Sequence, residues 1–354
     1  MMRKIRLLGV VGVLCAEAAI TTSAGTAVFA PSGTVVMSGL LNPRGLAVDH
    51  HGSVYVAEAG AGGAAPCAVF SDAILKCYGP TGRISRLRQG VQEVVAAGLP
   101  SNAPAGGNAA TGPHNIALQG GHLYVTDGLG ADPTRPDIAP FRMRGQGWLF
   151  KVHPDPRRPT RWSPHTDIAA FEAARNPVGP PDSNPYGLVG RGGHLLVADA
   201  GGNDLLEVHG NHTDLVAVFP SRPTRNTDSV PTTVTRGPDG HYYVGELTGG
   251  PFNVGEANVY RVEDGQATVH CSGFTAIIAI AFGPDGHLYV LQFASGPGLT
   301  GPGILYRVGA GCVKTPVVTG LFTPGGLAFG EDGAAYVSQG SILAGGGTVW
   351  RFEF

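Results

Sequence analysis

A short apolar strand, written six times, constrains this 354-residue chain more than any other feature. The copies are Val54-Tyr55-Val56, Leu123-Tyr124-Val125, Leu195-Leu196-Val197, Tyr242-Tyr243-Val244, Leu288-Tyr289-Val290 and Ala335-Tyr336-Val337. Aromatic and β-branched residues of this kind suit a pleated, buried strand. Each copy follows a tight turn, most often Asp-Gly or Gly-Gly as at Asp285-Gly286 and Gly120-Gly121, where positive φ costs little. The middle residues are separated by 69, 72, 47, 46 and 47 positions. A step near 47 is in the range of a four-stranded propeller blade. The first two steps are longer by 22 and 25, so repeats one and two carry insertions.

Each copy supplies further strand signals. One precedes the turn, as in Gly45-Leu46-Ala47-Val48 and Ile278-Ala279-Ile280-Ala281-Phe282. A third strand alternates apolar and polar residues. Its penultimate residue is charged in every copy (Arg86, Lys151, Glu207, Arg261, Arg307, Arg351), which predicts a solvent-facing side chain. Outer strands are predicted at 91–95, 167–171, 214–219, 268–271 and 313–318. That is five outer strands for six copies, and the sixth stands before the first repeat at Gly33-Thr34-Val35-Val36-Met37. The expected fold is therefore all-β: a single six-bladed β-propeller of four-stranded blades over 31–354. An N-terminal outer strand would complete the last blade and close the ring, which leaves no strand edge exposed.

Composition narrows the partners. Gly (56) and Pro (28) are abundant, but the glycines recur at fixed places between apolar runs and read as turn residues. Net charge is −2 and 14% of residues are charged, which offers no electrostatic case for nucleic acid. Arg3, Lys4 and Arg6 precede an apolar run from Leu7 to Cys15, followed by small residues. This predicts a secretory signal peptide over 1–30, cleaved within 24–30, and no membrane span in the mature chain. Leu14 stands before Cys15 where a lipoprotein signal wants a small residue. The expected location is secreted or extracytoplasmic. Of the remaining cysteines, Cys67 and Cys77 bracket one loop and are expected to pair, while pairing of Cys271 with Cys312 is left open.

Strand order dictates which face carries function. The turns between first and second strands are short, whereas 59–81, 99–113, 128–146, 173–183, 220–230, 249–256 and 293–302 all open on the opposite face. Long loops on one side of a rigid scaffold suit binding or catalysis. Second strands end on that face at Glu58, Asp127, Asp199, Glu246, Gln292 and Gln339. Inner strands start near it at Arg44, His114, Asn115 and Asn184. Oxygen donors from several blades could hold a hard cation such as Ca²⁺, with Glu58, Asp199 and Glu246 as candidate ligands. The competing reading is that these polar residues cap strand ends and satisfy backbone groups. His122, His194, His241 and His287 occupy the slot after the turn and belong to the other face. No phosphate-cradling loop, GxSxG elbow or zinc spacing is present.

Four stretches resemble the ScyD/ScyE family of exported NHL-type propellers: Ser183-Asn184-Pro185-Tyr186-Gly187-Leu188, Val197-Ala198-Asp199-Ala200-Gly201-Gly202-Asn203, Gly245-Glu246-Leu247-Thr248-Gly249 and Gly273-Phe274-Thr275. Asn42-Pro43-Arg44-Gly45-Leu46 and the Cys67/Cys77 loop extend the resemblance. It implies an extracytoplasmic six-bladed propeller, adds Asn203 to the candidate ligand-binding residues, and implies no defined reaction. The family pattern has Asp in the fifth inner strand where this chain has Ala279, which weakens any channel site that Asp would serve. Gluconolactonase-type propellers are more distantly similar. They hold a divalent metal with Glu, Asn and Asp at inner-strand starts, where this chain offers Asn115 and Asn184 but no carboxylate.

Two functions compete at this level. The first is a secreted, monomeric binding or scaffold module that recognises a protein or small polar ligand on the loop-rich face. The second is a metal-dependent hydrolase, lactonase or lyase at the channel mouth, with the metal as Lewis acid or activator of water. A quinone-dependent dehydrogenase lacks a recognisable constellation.

Overall fold

The computed structural model describes residues 33–177, 179–219 and 227–354. The signal segment expected over 1–30 and residues 220–226 of one expected loop lie outside the described residues. The chain is all-β, with six four-stranded antiparallel sheets and one small three-stranded sheet among the described residues. The first sheet holds Pro43–Val48, Val54–Glu58, Gly82–Arg88 and Val91–Leu99 in that order. The next four sheets repeat this up-and-down order, with innermost strands Pro113–Gln119, Pro185–Arg191, Pro231–Arg236 and Ile277–Phe282. In the last sheet, Gly326–Phe329, Ala335–Gln339 and Ala344–Phe352 are joined by Thr34–Leu41 as the outer strand. Val35 pairs there with Trp350, as the strand count requires.

Each innermost strand packs against the next, and Gly326–Phe329 packs back against Pro43–Val48. The core lies between neighbouring sheets. One cluster joins Tyr55, Ile84 and Val95 to Leu123, Val125 and Phe150. Another joins Met37, Tyr336 and Val349 of the last sheet to Leu46, Val54 and Val56 of the first. No sheet covers its own apolar face, so each repeat is stable only through its neighbours. Val56, Val125, Val197, Val244, Val290 and Val337, one from each copy of the repeated strand, are all fully buried. Such burial contributes roughly 1.5–3 kcal/mol per side chain.

The charged third-strand residues have a more specific role than facing water. Asp285 of the turn accepts hydrogen bonds from His287 N, Tyr289 Oη and Arg307 Nε at 3.1, 3.1 and 3.0 Å. Asp239, Tyr243 and Arg261 repeat the set. In these two repeats the turn Asp thus ties the Tyr of the second strand to the Arg of the third.

One expected strand is corrected. The outer strand of the second sheet is Trp162–Asp167 rather than 167–171. Helix α1 (Ala139–Arg142) precedes it, and helix α2 (Ile168–Arg175) follows it. Asp167 caps α2 by accepting from Ala170 N at 3.0 Å, and the Ala-rich segment behind it favours helix over strand. Ile168 and Phe171, three apart on one side of the helix, are both buried. The apolar spacing that suggested a strand is therefore helical.

Candidate functional site: the channel mouth

Strand register defines the mouth. Pro43, Pro113, Pro185 and Pro231 pair with Glu58, Asp127, Asp199 and Glu246, the ends of the second strands. The next residue in each innermost strand is Arg44, His114, Tyr186 or Thr232, and the same register places Ile278 and Gly325 in the last two sheets. Behind this level lies a cavity of about 190 Å³ lined by all six innermost strands, including Gly45, Asn115, Thr233 and Ala279. One side of the mouth is thus cationic and aromatic, and the other is small and apolar.

Arg44, His114 and Tyr186 come together. Arg44 Nη1 lies 3.5 Å from Tyr186 Oη, and Nη2 donates to Ala110 O at 2.8 Å. The His114 and Tyr186 rings stack with centroids 4.2 Å apart. His114 Nδ1 is 3.2 Å from Pro185 O, so it carries the proton and Nε2 is left as an acceptor. Burial, and then the Arg44 charge, push the His114 pKa down to about 3, so the ring is neutral. Thr232 Oγ1 makes the equivalent bond to Ile277 O at 2.7 Å, so part of this pattern is a stitch between neighbouring sheets.

The other inner-strand candidates stand close by. A Cβ on Gly128 would meet His114 Cε1 at 2.3 Å and Asn184 Oδ1 at 2.5 Å, so only glycine lets these two side chains approach. Asn184 Oδ1 is buried without a partner. Asn115 Oδ1 accepts from Ile116 N at 2.8 Å and packs on Gly45. Segment 107–110 crosses beside the mouth. Asn42 holds Gly107 O at 2.8 Å, Arg44 holds Ala110 O, and the last sheet holds the far side through Ala109 N to Ile342 O at 3.0 Å.

The polar second-strand ends do not form a shared site. Each is buried, and all but Asp127 are engaged by nearby backbone or side-chain groups. Glu58 accepts from Leu41 N at 2.6 Å and Arg83 Nε at 2.8 Å. Burial raises its pKa although Arg83 opposes this. Asp199 accepts from Ser183 Oγ, Asn184 N, Gly201 N and Gly202 N at 2.6–3.1 Å. Glu246 accepts from Ser229 Oγ at 2.6 Å and Asn258 N at 2.9 Å. Gln292 and Gln339 hold Thr275 N and Phe322 N, both at 2.8 Å. These groups secure the segment that leads into each inner strand. Asp127 differs, since neither oxygen has a partner and burial holds its pKa well above the usual carboxylate range. Asn203 accepts from Val230 N at 2.8 Å and joins the third and fourth repeats. The lone pairs of Glu58, Asp199 and Glu246 are thus spent on the fold, and the set does not fit a shared Ca²⁺. Among the described residues no three His, Cys, Asp or Glu side chains are arranged to hold a metal ion.

Sequence reasoning did not single out Tyr186 as a site residue. Aligning the copies on their inner strands instead of on the Tyr-Val strand would have placed it level with Arg44 and His114. It also did not find an acidic group on the same face. Glu172 of α2 lies beside Asp204, Asp199 and Asp182, and none of the carboxyl oxygens of Glu172 and Asp204 has a hydrogen-bond partner. Burial and then Asp199 raise the Glu172 pKa to about 8. A larger groove of about 560 Å³ lies between α2 and 211–213, and no residue of either cluster lines it.

The expected Cys67–Cys77 disulfide is formed, and Cys271 and Cys312, whose pairing the sequence leaves open, are also bonded. Among the described residues no helix is long and apolar enough to cross a membrane.

The architecture is that of a β-propeller. Among solved structures, an oxidoreductase (glucose dehydrogenase) from Thermus thermophilus is similar at TM-score 0.56 and 16% identity, over 91% of this chain and 100% of that one. The calcium-binding protein regucalcin from Agrobacterium tumefaciens is similar at 0.53 and 12%, over 92% and 94%. Virginiamycin B lyase from Staphylococcus aureus is similar at 0.51 and 13%, over 91% and 100%. At these identities the likeness concerns the fold. No family model matches the chain, and no curated protein sequence matches it.

Proposed function

We propose that this protein is an exported, six-bladed propeller of the ScyD/ScyE type that binds a small polar ligand or a protein partner through its loop-rich face. The six four-stranded sheets, the contact of the last innermost strand with the first, and the pairing of 34–41 with the last sheet support a closed ring. Two disulfides and the basic-apolar start of the chain support an extracytoplasmic setting. The observation that carries the binding reading is the convergence of Arg44 and His114 on Tyr186, which lines the central cavity. A cavity of about 190 Å³ is below the ~300–1,000 Å³ usual for drug-sized ligands, so what enters it is small.

A metal-assisted hydrolase, lactonase or lyase is the competing reading of the same mouth. It would require Glu58, Asp199 and Glu246 to leave the bonds they make within their own repeats. Ligand soaking with crystallography, together with elemental analysis before and after chelation, separates the two. Density at the mouth contacting Arg44 supports binding there. A stoichiometric ion held by Glu58, Asp199 or Glu246 overturns it in favour of the metal enzyme.

A further inference from the structure

The charge at the mouth points to the class of ligand. Arg44 is half-buried, and both its bonded partners are neutral: a backbone carbonyl and a phenol. Its Nε is buried without a partner, and among the described residues no carboxylate pairs with it. A guanidinium taken out of water normally meets an acid, because desolvating an unpaired charge is costly. Several cations of the sheets do meet one, although Lys314 is set on Gly273 O and the Phe274 ring, and Arg191 on the Tyr242 phenol. Arg83 pairs with Glu58, Arg261 with Asp239, and Arg307 with Asp285. His114 adds no charge and no acid, and it presents Nε2 as an acceptor. Ser341 packs directly against the cavity-lining Gly325, and its buried hydroxyl has no partner. The mouth therefore carries one uncompensated positive charge, flanked by stacked rings on one side and by Ile278 and Gly325 on the other.

We infer that the channel mouth takes a small organic carboxylate, whose anionic group pairs with the Arg44 guanidinium while its remainder rests against the Tyr186–His114 stack. This rests on the reading of the mouth as a binding site, and it reverses the sign of ligand that the ring of acidic strand ends suggested. A planar guanidinium fork matches a carboxylate in two parallel hydrogen bonds, which a neutral amide cannot reproduce.

The test uses matched pairs: acetate, benzoate and glucuronate against acetamide, benzamide and glucuronamide. Binding to the folded chain is followed by thermal shift and by the ring signals of ¹⁵N-histidine-labelled protein, with His114 assigned from His114→Gln. The expected result is that at least one carboxylate raises the melting temperature and moves the His114 signals, while its amide does not. Arg44→Gln should weaken that binding by about 10- to 100-fold, the loss expected for a charge-assisted pair. Arg44→Lys keeps the charge without the fork and should fall between. It also guards against a folding defect, since its circular dichroism and melting should match the parent. Equal binding of the amides at His114, or full binding to Arg44→Gln, overturns the carboxylate assignment and leaves the mouth as a site. No response at His114 to any of the six compounds overturns the site itself.

Discussion

Arg44 of the first repeat reaches Tyr186 of the third at 3.5 Å, and His114 of the repeat between them stacks on that same tyrosine. Three successive inner strands therefore meet through side chains at one end of the cavity. Among the described residues nothing comparable joins the innermost strands of the other repeats at this level, where Thr232 bonds a backbone carbonyl and Ile278 and Gly325 carry no polar side chain. The asymmetry gives the mouth a direction, and the following outcomes depend on it.

Asp199 is expected to matter for folding rather than for ligand capture. Its carboxylate accepts four hydrogen bonds, three of them from backbone N–H groups that lead into and out of the repeat. Asp199→Ala should cost on the order of 3–5 kcal/mol in urea unfolding, because buried donors lose a charged acceptor. A loss under about 1 kcal/mol would contradict the capping role.

Stability should fall as pH rises through the neutral range. Glu172 titrates at about 8 when folded, against 4.5 ordinarily. Between those values the folded state holds a proton that the unfolded state has released, so stability is lost as pH climbs and levels off above about 8. Glu172→Gln should flatten the profile between about pH 6.5 and 8 in denaturant titrations. An unchanged slope there would show that Glu172 ionises normally.

His114 works in the opposite direction. Its folded pKa is about 3 and its ordinary value is 6.5. Below 6.5 the unfolded chain takes up a proton that the folded chain refuses, so stability falls as pH drops from 6.5 toward 3. His114→Gln should reduce this acid sensitivity. The ring signals of His114 should also stay those of a neutral Nδ1–H tautomer at pH 5 by NMR.

The turn-face set is expected to be structural only. Tyr289→Phe removes the bond from Tyr289 Oη to Asp285 and should cost roughly 1 kcal/mol. Because this residue belongs to the opposite face, ligand binding at the mouth should not change. A parallel loss of binding would mean that the two faces are coupled.

Opening the two disulfides should have unequal effects. Cys271–Cys312 links outer segments of neighbouring repeats 41 positions apart, while Cys67–Cys77 closes only 10 within one loop. The chain-entropy relation gives the longer link the larger stabilisation, within an overall range of about 2–4 kcal/mol. Serine pairs at each position, compared by urea unfolding, should rank in that order.

Much of the fold is legible in the sequence. The period, the four strands per repeat and the N-terminal outer strand followed from residues that recur for local reasons. These are the turn glycines, the buried Val of each Tyr-Val strand, and the Asp–Tyr–Arg set that ties one turn. The helix at 168–175 was misread because Ile168 and Phe171 suit either element, and the decision rested on Asp167 as a cap. The site was only half legible. Arg44, His114 and Asn184 were named from their place at strand starts, whereas Tyr186 and the Glu172–Asp204 pair depend on contacts between repeats.

What the chain determined alone was which residues reach the loop-rich face, because strand alternation and turn chemistry act over a few neighbouring residues. What only the tertiary structure decided was the charge that face offers. Glu58, Asp199 and Glu246 look in the sequence like a waiting acidic ring, yet each is consumed by N–H and O–H groups brought to it by folding. Arg44 looks like one basic residue among many, yet the register of the inner strands leaves it half-buried beside a phenol and a neutral imidazole. Hydrogen-bond partners as far apart as 142 positions set that balance, and no local pattern encodes such pairs.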